Sequence, residues 1–440
     1  MKKQTLWVAI ALMMGAAMTG CSSDNNDEPQ LADDGLPVAN NLADEDDDTD
    51  DLIYDVDYIQ LSMKQRDLVS GSNQFAFRLL QQTRAENDNA GKNLILSPLS
   101  ITYALGMLNN GAAGETQQQI SQVLGFGDTG LDDINAFCRK MLDEAPRLDS
   151  LTKVRIANTI YMNQPYVLLP AFVEAAHTYY EAEPETRDFH DGQTLDVINQ
   201  WASDHTKGMI KEVLNENTFN PDAVSYLLNA TYFKGTWSQK FEAADTRDEV
   251  FTSYNKSLQQ VPMMHMEDTL NYREDDLCQA LTMTYGRGLY QMTVLLPREG
   301  KTLEDVVRGL EARWTDYSHG SNAIVDVKLP RFEANTDVDL KEIMSALGMP
   351  RAFDGDLAEF PYFCNTPTYI DLMKQVARIK VNEAGSEAAA VTVIGQFTSA
   401  DPGYEPTLPH YVFHADRPFL YVISEHFSRA IFFVGQYVGE

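Results

Sequence analysis

The sequence predicts an α+β fold built around antiparallel sheets. Periodic apolar segments typical of helices dominate the first part of the chain, the middle is mixed, and β-branched runs dominate the last part. This order favours helices packed beside antiparallel sheets over a regular alternation of strand and helix. The 440 residues, 44% of them hydrophobic, are enough for one large domain, and no internal repeat or linker interrupts residues 58–440.

The first helices carry recognisable start and stop signals. Residues 61–84 place apolar side chains on one face, which predicts a helix. Ser97 followed by Pro98 predicts the N-cap and the first residue of a second helix. A glycine-rich break at 111–116 then starts a third helix, which is expected to end near Gly125.

Further along the chain, runs of β-branched residues alternate with helical patterns. The predicted strands are 153–162, 223–233, 288–296 and 324–332, and the predicted helices are 171–180, 194–206, 303–310 and 340–347.

Residues 1–21 are a targeting segment. Two lysines precede an apolar stretch that is too short to span a bilayer as a helix. Its end, Met-Thr-Gly-Cys, resembles a bacterial lipobox with Cys21 as the lipidated residue, and an ordinary cleaved signal is the alternative. The acidic run after Cys21 resembles the surface-export signal of Bacteroidetes lipoproteins. These features predict an outer-membrane lipoprotein that faces the cell exterior.

Charge separates a tether from a folded body. Segment 22–57 has 14 acidic residues and no lysine or arginine, a composition that predicts a disordered tether. The body, 58–440, has 51 acidic and 32 basic residues and a net charge of −19. Such a body argues against nucleic acid, heparin or anionic membrane surfaces as partners. Membrane contact is therefore expected only through the lipid on Cys21.

Cysteine and histidine usage predicts no metal site and no cofactor. With Cys21 assigned to lipid, three widely spaced cysteines remain, Cys138, Cys278 and Cys364. An odd number leaves at least one free thiol and makes a disulfide framework unlikely to hold the fold. The eight histidines show no zinc-helix spacing.

The most informative segment is 383–391, Glu-Ala-Gly-Ser-Glu-Ala-Ala-Ala-Val, which lies between two runs of strand-forming residues. Side chains alternate between the faces of a strand. Ser386, Ala388, Ala390 and Thr392 would therefore share one face, and none of them is bulky or charged. This pattern suits a segment that slots between two existing strands, whereas a short Ala-rich helical turn is the alternative.

Six separated motifs, taken in order, resemble the serpin family. They are Asn93 with Ser-Pro-Leu-Ser-Ile at 97–101, Leu-Asn-Ala-Thr-Tyr-Phe-Lys-Gly-Thr-Trp at 228–237 followed by Phe241, Val-Pro-Met-Met at 261–264, the hinge at 381–391, Phe-His-Ala-Asp-Arg-Pro-Phe-Leu-Tyr-Val-Ile at 413–423, and Ile-Phe-Phe-Val-Gly at 431–435. The resemblance covers nearly everything after the tether. It implies the serpin fold, with three β-sheets, eight to nine helices and an exposed reactive-centre loop, in a monomeric protein that is not an enzyme.

The resemblance also implies a mechanism of protease inhibition. A target serine protease attacks the loop and forms an acyl-enzyme, and the cut loop then inserts into the main sheet, which carries the protease away and deforms its active site. The hinge of that loop would comprise Glu383, Gly385, Ser386, Ala388, Ala389, Ala390 and Thr392. The residues matching a sheet-opening cluster are Ser97, Ser100, Asn229, Trp237 and Gln375, and Gln375 stands where the family usually has histidine.

The family's nearly fixed distance from hinge to cleavage site places the cleaved bond at Ser399–Ala400. Phe397 and Thr398 are the neighbouring candidates for the residue before the bond. Counting back from the C-terminal motif instead places the bond near Tyr404, because the segment after Ser399 is longer than is usual.

The residues before this bond suggest which proteases are targets. Serine or threonine suits elastase-like or subtilisin-like enzymes, and phenylalanine suits chymotrypsin-like enzymes; a cysteine protease is also compatible. No lysine or arginine occurs between Lys380 and Arg417, which argues against trypsin-like targets.

Three other functions are weighed against inhibition. A non-inhibitory serpin that acts as a binding or carrier protein would more often carry bulky or charged hinge residues. A hydrolase is disfavoured because the sequence has no Gly-x-Ser-x-Gly elbow. The export signals alone would also permit a glycan-binding surface lipoprotein.

Overall fold

Eight α-helices and fifteen strands make up the described part of the chain, residues 58–86, 88–386 and 408–439 of a computed structural model. One compact unit, Val56–Glu440, contains all of them. The helices are α1 (Met63–Ala85), α2 (Pro98–Asn109), α3 (Gly114–Val123), α4 (Leu131–Glu144), α5 (Pro170–Tyr180), α6 (Thr194–His205), α7 (Leu303–Tyr317) and α8 (Lys341–Leu347). The strands are β1 (Leu94–Leu96), β2 (Thr152–Asn163), β3 (Glu185–Arg187), β4 (Ser225–Thr236), β5 (Arg247–Thr252), β6 (Leu258–Glu274), β7 (Cys278–Tyr285), β8 (Tyr290–Pro297), β9 (Ser321–Pro330), β10 (Phe332–Asp339), β11 (Leu372–Asn382), β12 (Gly385–Ser386), β13 (His410–His414), β14 (Phe419–Glu425) and β15 (Ile431–Tyr437).

The first two helices follow their sequence signals. Helix α1 begins after Ser62, whose side chain accepts a hydrogen bond from the Gln65 amide, while the Gln65 side chain accepts one from the Ser62 amide. Helix α2 begins at Pro98, as predicted, and all of its residues are buried. Ser97 occupies the predicted N-cap position, but its hydroxyl makes no capping bond. Helix α2 packs against β2, β4 and β15, which places it beneath the sheet that contains β4.

That sheet has six strands in the order β10-β11-β12-β4-β2-β3. Strand β4 pairs antiparallel with β2 along most of its length, and parallel with β11 through residues 226–232. Strand β12, only two residues long, lies between β4 and β11 and is antiparallel to both. One end of the sheet therefore already contains the start of an additional central strand.

The other strands form a nine-stranded sheet in the order β1-β15-β14-β8-β7-β6-β9-β13, with β5 paired to β6. The long strand β6 pairs with β9 through residues 263–272 and with β7 through residues 271–274. The second and third sheets that the resemblance implies are thus continuous through β6. The predicted α+β class is confirmed.

Most predicted elements agree with the observed boundaries within a few residues, and the main departures are as follows. The strand predicted at 324–332 is two strands, because the chain changes partner at Arg331: β9 pairs with β6 up to Pro330, and β10 pairs with β11 from Phe332 onward. The helix predicted at 303–310 continues to Tyr317. Helix α4 was not predicted, although its buried residues recur at helical spacing.

Three cysteines lie in the described residues, and all are buried and free. Among the same residues, no helix is long and apolar enough to cross a membrane. No group of three or more histidine, cysteine or acidic side chains there could hold a metal ion.

The buried thiols lead to a first prediction. Burial raises the pKa of Cys138 and of Cys278 to about 12, so both remain protonated, and unreactive, at neutral pH. In a protein that lacks residues 1–21, we expect Ellman's reagent to find almost no thiol in the native state. After unfolding in guanidinium chloride, it should find the thiols of Cys138, Cys278 and Cys364. Rapid reaction in the native state would contradict this packing.

Candidate functional site

The candidate site begins where β4 and β11 separate. The two strands are parallel neighbours along residues 226–232 of β4 and 372–378 of β11. Beyond these residues they part, and β12 lies between them at residues 235–236 of β4 and 381–382 of β11. The register pairs are Gly385 with Thr236 and Asn382, and Ser386 with Gly235 and Val381.

Only glycine fits at position 385, because of its backbone conformation and because of the atoms around it. Its φ of +143° is one that L side chains rarely adopt, and an added Cβ would lie 2.1 Å from the Gly235 carbonyl oxygen. Both the conformation and the close approach are open to glycine alone. The glycine that marks the hinge in the sequence thus lets the chain enter the gap between the strands.

Ser386 is fully buried, and its Oγ lies 2.7 Å from the Oη of Tyr285. The ring of Tyr285 stacks on Trp237, with 4.3 Å between ring centroids and 12° between planes. Burial raises the pKa of Tyr285 far above its ordinary value. The pair is therefore a neutral hydroxyl–hydroxyl hydrogen bond in an apolar pocket.

The backbone just before Gly385 and Ser386 is hydrogen-bonded to residues that follow the end of β4. The Trp237 amide donates to the Ala384 carbonyl (3.0 Å), and the Trp237 indole donates to the Asn382 carbonyl (3.0 Å). The Phe241 amide donates to the Glu383 carbonyl (3.1 Å). These three hydrogen bonds fix where the chain turns from β11 into the gap.

The side chain of Glu383 is held as a carboxylate. It is 12% exposed and forms an ion pair with Arg331; its Oε1 also accepts hydrogen bonds from Arg331 Nε (2.7 Å) and Thr246 Oγ1 (2.5 Å). Burial raises the pKa of Glu383, but the hydrogen bonds from Arg331 and Thr246 outweigh burial and leave its pKa lowered. Glu383 thus ties the hinge to the turn between β9 and β10.

A buried polar cluster joins β4 and β11 further along the line where the two strands meet, which is called the seam from here on. The Gln375 amide donates to Asn229 Oδ1 (2.8 Å), and Gln375 also exchanges hydrogen bonds with the backbone amide and carbonyl of Ser97 (3.1 Å each). Asn229 in turn donates to Ser100 Oγ and to Asn158 Oδ1 (2.6 Å). Strand separation here would break the direct bond between Gln375 and Asn229.

The predicted residues thus fall into two groups. Trp237 lies with Glu383, Gly385 and Ser386 where the hinge enters between β4 and β11, a place called the hinge seat from here on. The other four members of the predicted sheet-opening cluster lie together beside the start of α2: Ser97, Ser100, Asn229 and Gln375. Asn229 precedes Gly235 by six residues in β4, which corresponds to about 20 Å along a strand. The remaining predicted residues lie outside the described ones: Cys21, Ala388, Ala389, Ala390, Thr392, Phe397, Thr398, Ser399 and Ala400.

Four contributors were not found from the sequence. Thr246 and Arg331 hold the Glu383 carboxylate, Tyr285 bonds Ser386, and Asn158 extends the polar cluster. The strand pattern of β2 could have placed Asn158 among inward-facing residues. The other three reach the hinge from other parts of the chain, and no local pattern marks them.

Comparison with known proteins assigns this architecture to a family. A family profile described as Serpin (serine protease inhibitor) matches residues 70–439. Leukocyte elastase inhibitor A of Rattus norvegicus is 30% identical, over 84% of this chain and 98% of its own length. The native state of tengpin, a thermophilic serpin, superposes with a TM-score of 0.76 at 26% identity, covering 87% of this chain and 95% of that one. A thyroxine-binding globulin complex with thyroxine superposes with a TM-score of 0.75 at 26% identity, covering 84% and 99%. This chain has the serpin fold and belongs to the serpin family.

Proposed function

We propose that this protein inhibits serine proteases by trapping them. The observation that carries the proposal is the seat of Gly385–Ser386 between β4 and β11, where the hinge already runs antiparallel to both strands. The serine of the protease would attack the loop carbonyl, the peptide bond would break, and the loop would remain on the enzyme as an acyl ester. Continued insertion from Ser386 onward then moves the bound protease before water can hydrolyse that ester.

The register of the seated residues shows what further insertion requires. If β12 continues in its present register, Ala388 comes opposite Phe233, Ala390 opposite Thr231, and Thr392 opposite Asn229. These side chains would face the same buried side as Ser386, because alternate residues share a face. Their small size fits a layer that is already packed.

The same register brings Thr392 between Asn229 and Gln375. Insertion must break the hydrogen bond that now joins these two amides (2.8 Å), and a net loss of about 1 kcal/mol is typical for one such bond. The Thr392 hydroxyl can donate and accept a hydrogen bond. We infer that Thr392 restores the bonding that strand separation removes, so that the cluster resists opening without preventing it.

The proposed targets are elastase-like or subtilisin-like proteases. The bond at Ser399–Ala400 would present a small side chain, and no lysine or arginine lies near it for a trypsin-like enzyme. The similarity to leukocyte elastase inhibitor A supports the elastase-like class. Chymotrypsin-like enzymes would instead use Phe397.

A binding or carrier function is the second candidate, favoured by the structural similarity to a thyroxine-binding globulin complex. Two features of this chain support inhibition over carriage. Its hinge residues are small, and Gly385 and Ser386 are already accommodated between the strands.

We also propose that the inhibitor is an outer-membrane lipoprotein anchored by Cys21 and displayed outward, with 22–57 as a spacer. The lipobox resemblance and the acidic run after Cys21 support this location. A spacer of 36 residues between anchor and body (57 − 21) would leave room for a protease to approach the loop.

Replacement of Ser386 by arginine tests the trapping mechanism. A guanidinium cannot be buried beside Tyr285 and Trp237 without a partner, so insertion should stall and the acyl-enzyme should hydrolyse. On denaturing gels with neutrophil elastase or subtilisin, we expect SDS-stable complex to fall by about tenfold or more while cleavage persists.

The matched control is Glu387→Arg, one residue further on and on the opposite face by strand alternation. It should still form stable complexes. Undiminished complex with Ser386→Arg would show that insertion is not how this protein acts, and absence of complex from the unmodified protein would favour carriage.

Mass spectrometry of the fragment released during complex formation tests the cleavage site. We expect a C-terminal peptide that begins at Ala400, because insertion length fixes the distance from the hinge. Phe397→Ala should leave complex formation with elastase unchanged. A peptide that begins next to Tyr404 would show that the count from the C-terminal motif is the correct one.

Lipid labelling of the bacterial cells tests the anchor. The unmodified protein should incorporate a labelled fatty acid and fractionate with membranes, whereas Cys21→Ser should do neither. Cys364→Ser, which removes a buried thiol, should behave like the unmodified protein. Equal labelling of the Cys21 variant would rule out lipidation at that residue.

A further inference from the structure

Among the described residues, Tyr285 is the side chain that hydrogen-bonds Ser386, and no sequence motif identified it. We propose that Tyr285 is a positioning residue for loop insertion, whose hydroxyl keeps Ser386 seated in the uncleaved protein and so sets the register in which the rest of the loop enters. This inference rests on the proposed trapping function and names a residue that function depends on.

Tyr285 is held firmly relative to β4. The Gly286 amide donates to the Thr236 carbonyl (2.7 Å), and the Ser238 amide donates to the Thr284 carbonyl (2.9 Å). These two bonds flank Tyr285, and the ring itself stacks on Trp237. Its hydroxyl is therefore fixed in space with respect to the strand that the loop must join.

Because Gly235 has no side chain, the Tyr285 hydroxyl can reach into the gap between β4 and β11. A Cβ there would lie 2.6 Å from Cδ1 of Tyr285, so only glycine lets the ring cross β4 at this level. Gly235 is also the register partner of Ser386. The ring thus reaches the position where the inserted residue lies.

The bond discriminates between registers. Ser386 is fully buried, and Tyr285 is the partner that the structure gives its hydroxyl within the described residues. A slip by one residue turns every side chain of a strand to the other face. It would place either Gly385, which has no hydroxyl, or the charged Glu387 against Tyr285. The hydrogen bond therefore favours the register that turns Ser386, and with it the alanines, inward.

Seating in the correct register matters because insertion competes with hydrolysis of the acyl-enzyme. A hinge that is already in place can extend residue by residue, whereas an unseated hinge must first find its register. Loss of the hydrogen bond between Tyr285 and Ser386 should thus increase the fraction of acyl-enzyme that is hydrolysed, without changing the rate at which the protease attacks the loop.

Tyr285→Phe tests this inference, because it keeps the stacked ring and removes only the hydroxyl. The matched control is Tyr421→Phe, which removes another buried tyrosine hydroxyl of the nine-stranded sheet, one that donates to the Leu94 carbonyl (2.7 Å) and not to the hinge. Both changes are made in a protein that begins at Ser22 and therefore lacks the targeting segment and Cys21.

Two quantities are measured. The first is hydrogen exchange of the peptide spanning 381–386, and the second is the ratio of stable complex to cleaved inhibitor with elastase and with subtilisin.

We expect exchange in the hinge to rise roughly fivefold to tenfold in Tyr285→Phe and to stay unchanged in Tyr421→Phe. The ratio of complex to cleaved inhibitor should fall, while the rate of loop cleavage stays constant. Ser386→Ala should reproduce both effects, and the double variant should be no worse than either single one, because both remove the same bond.

Unchanged hinge exchange in Tyr285→Phe would overturn the inference, as would faster exchange with an unaltered ratio, or additive effects in the double variant. If the unmodified protein traps no protease at all, the proposed function fails. Hinge exchange would then still decide whether Tyr285 holds Ser386.

Discussion

The structure depends on how β4 and β11 are joined. They are parallel neighbours for seven residue pairs and then part to admit Gly385–Ser386. A strand continuing from Ser386 would replace one parallel ladder by two antiparallel ladders, and antiparallel pairing is slightly more stable per residue. Both edges of the entering strand would gain hydrogen bonds. On the proposed mechanism, the sheet would thus gain stability by accepting more of the loop, and the hydrogen bonds that join β4 and β11 would restrain it.

Along the seam, polar but uncharged side chains hold β4 and β11 together. Gln375, Asn229, Ser100 and Asn158 form a chain of hydrogen bonds in a fully buried setting, where unpaired groups are costly. A histidine at the position of Gln375 would change charge between pH 5 and 8, but an amide does not titrate. Opening of this sheet at the cluster therefore carries no proton-dependent step. Among the described hinge residues, the charged contact is that of Glu383 with Arg331, which lies where strand β11 ends.

The sequence predicted the parts of the site that depend on local pattern. Alternation grouped Ser386 with the small residues of one face, and the resemblance to the family placed Gly385 in the hinge. The start of α2 followed from Ser97 and Pro98. Tyr285 and Arg331 could not be predicted, because periodicity shows which face of a strand is buried but not which distant strand lies against it. Trp237 was assigned to one cluster with Asn229 although the two residues are eight positions apart, which corresponds to about 26 Å along a strand; only the strand register resolves them into a hinge seat and a seam cluster.

The central claim is that the sheet has room for one more strand and gains stability by taking it. Thermal unfolding of the intact protein and of the same protein cleaved once within 387–407 tests this claim most directly. The account predicts a markedly higher unfolding temperature after cleavage, because the freed loop completes the sheet, and no such gain in cleaved Ser386→Arg. An equal or lower unfolding temperature after cleavage of the unmodified protein would contradict it.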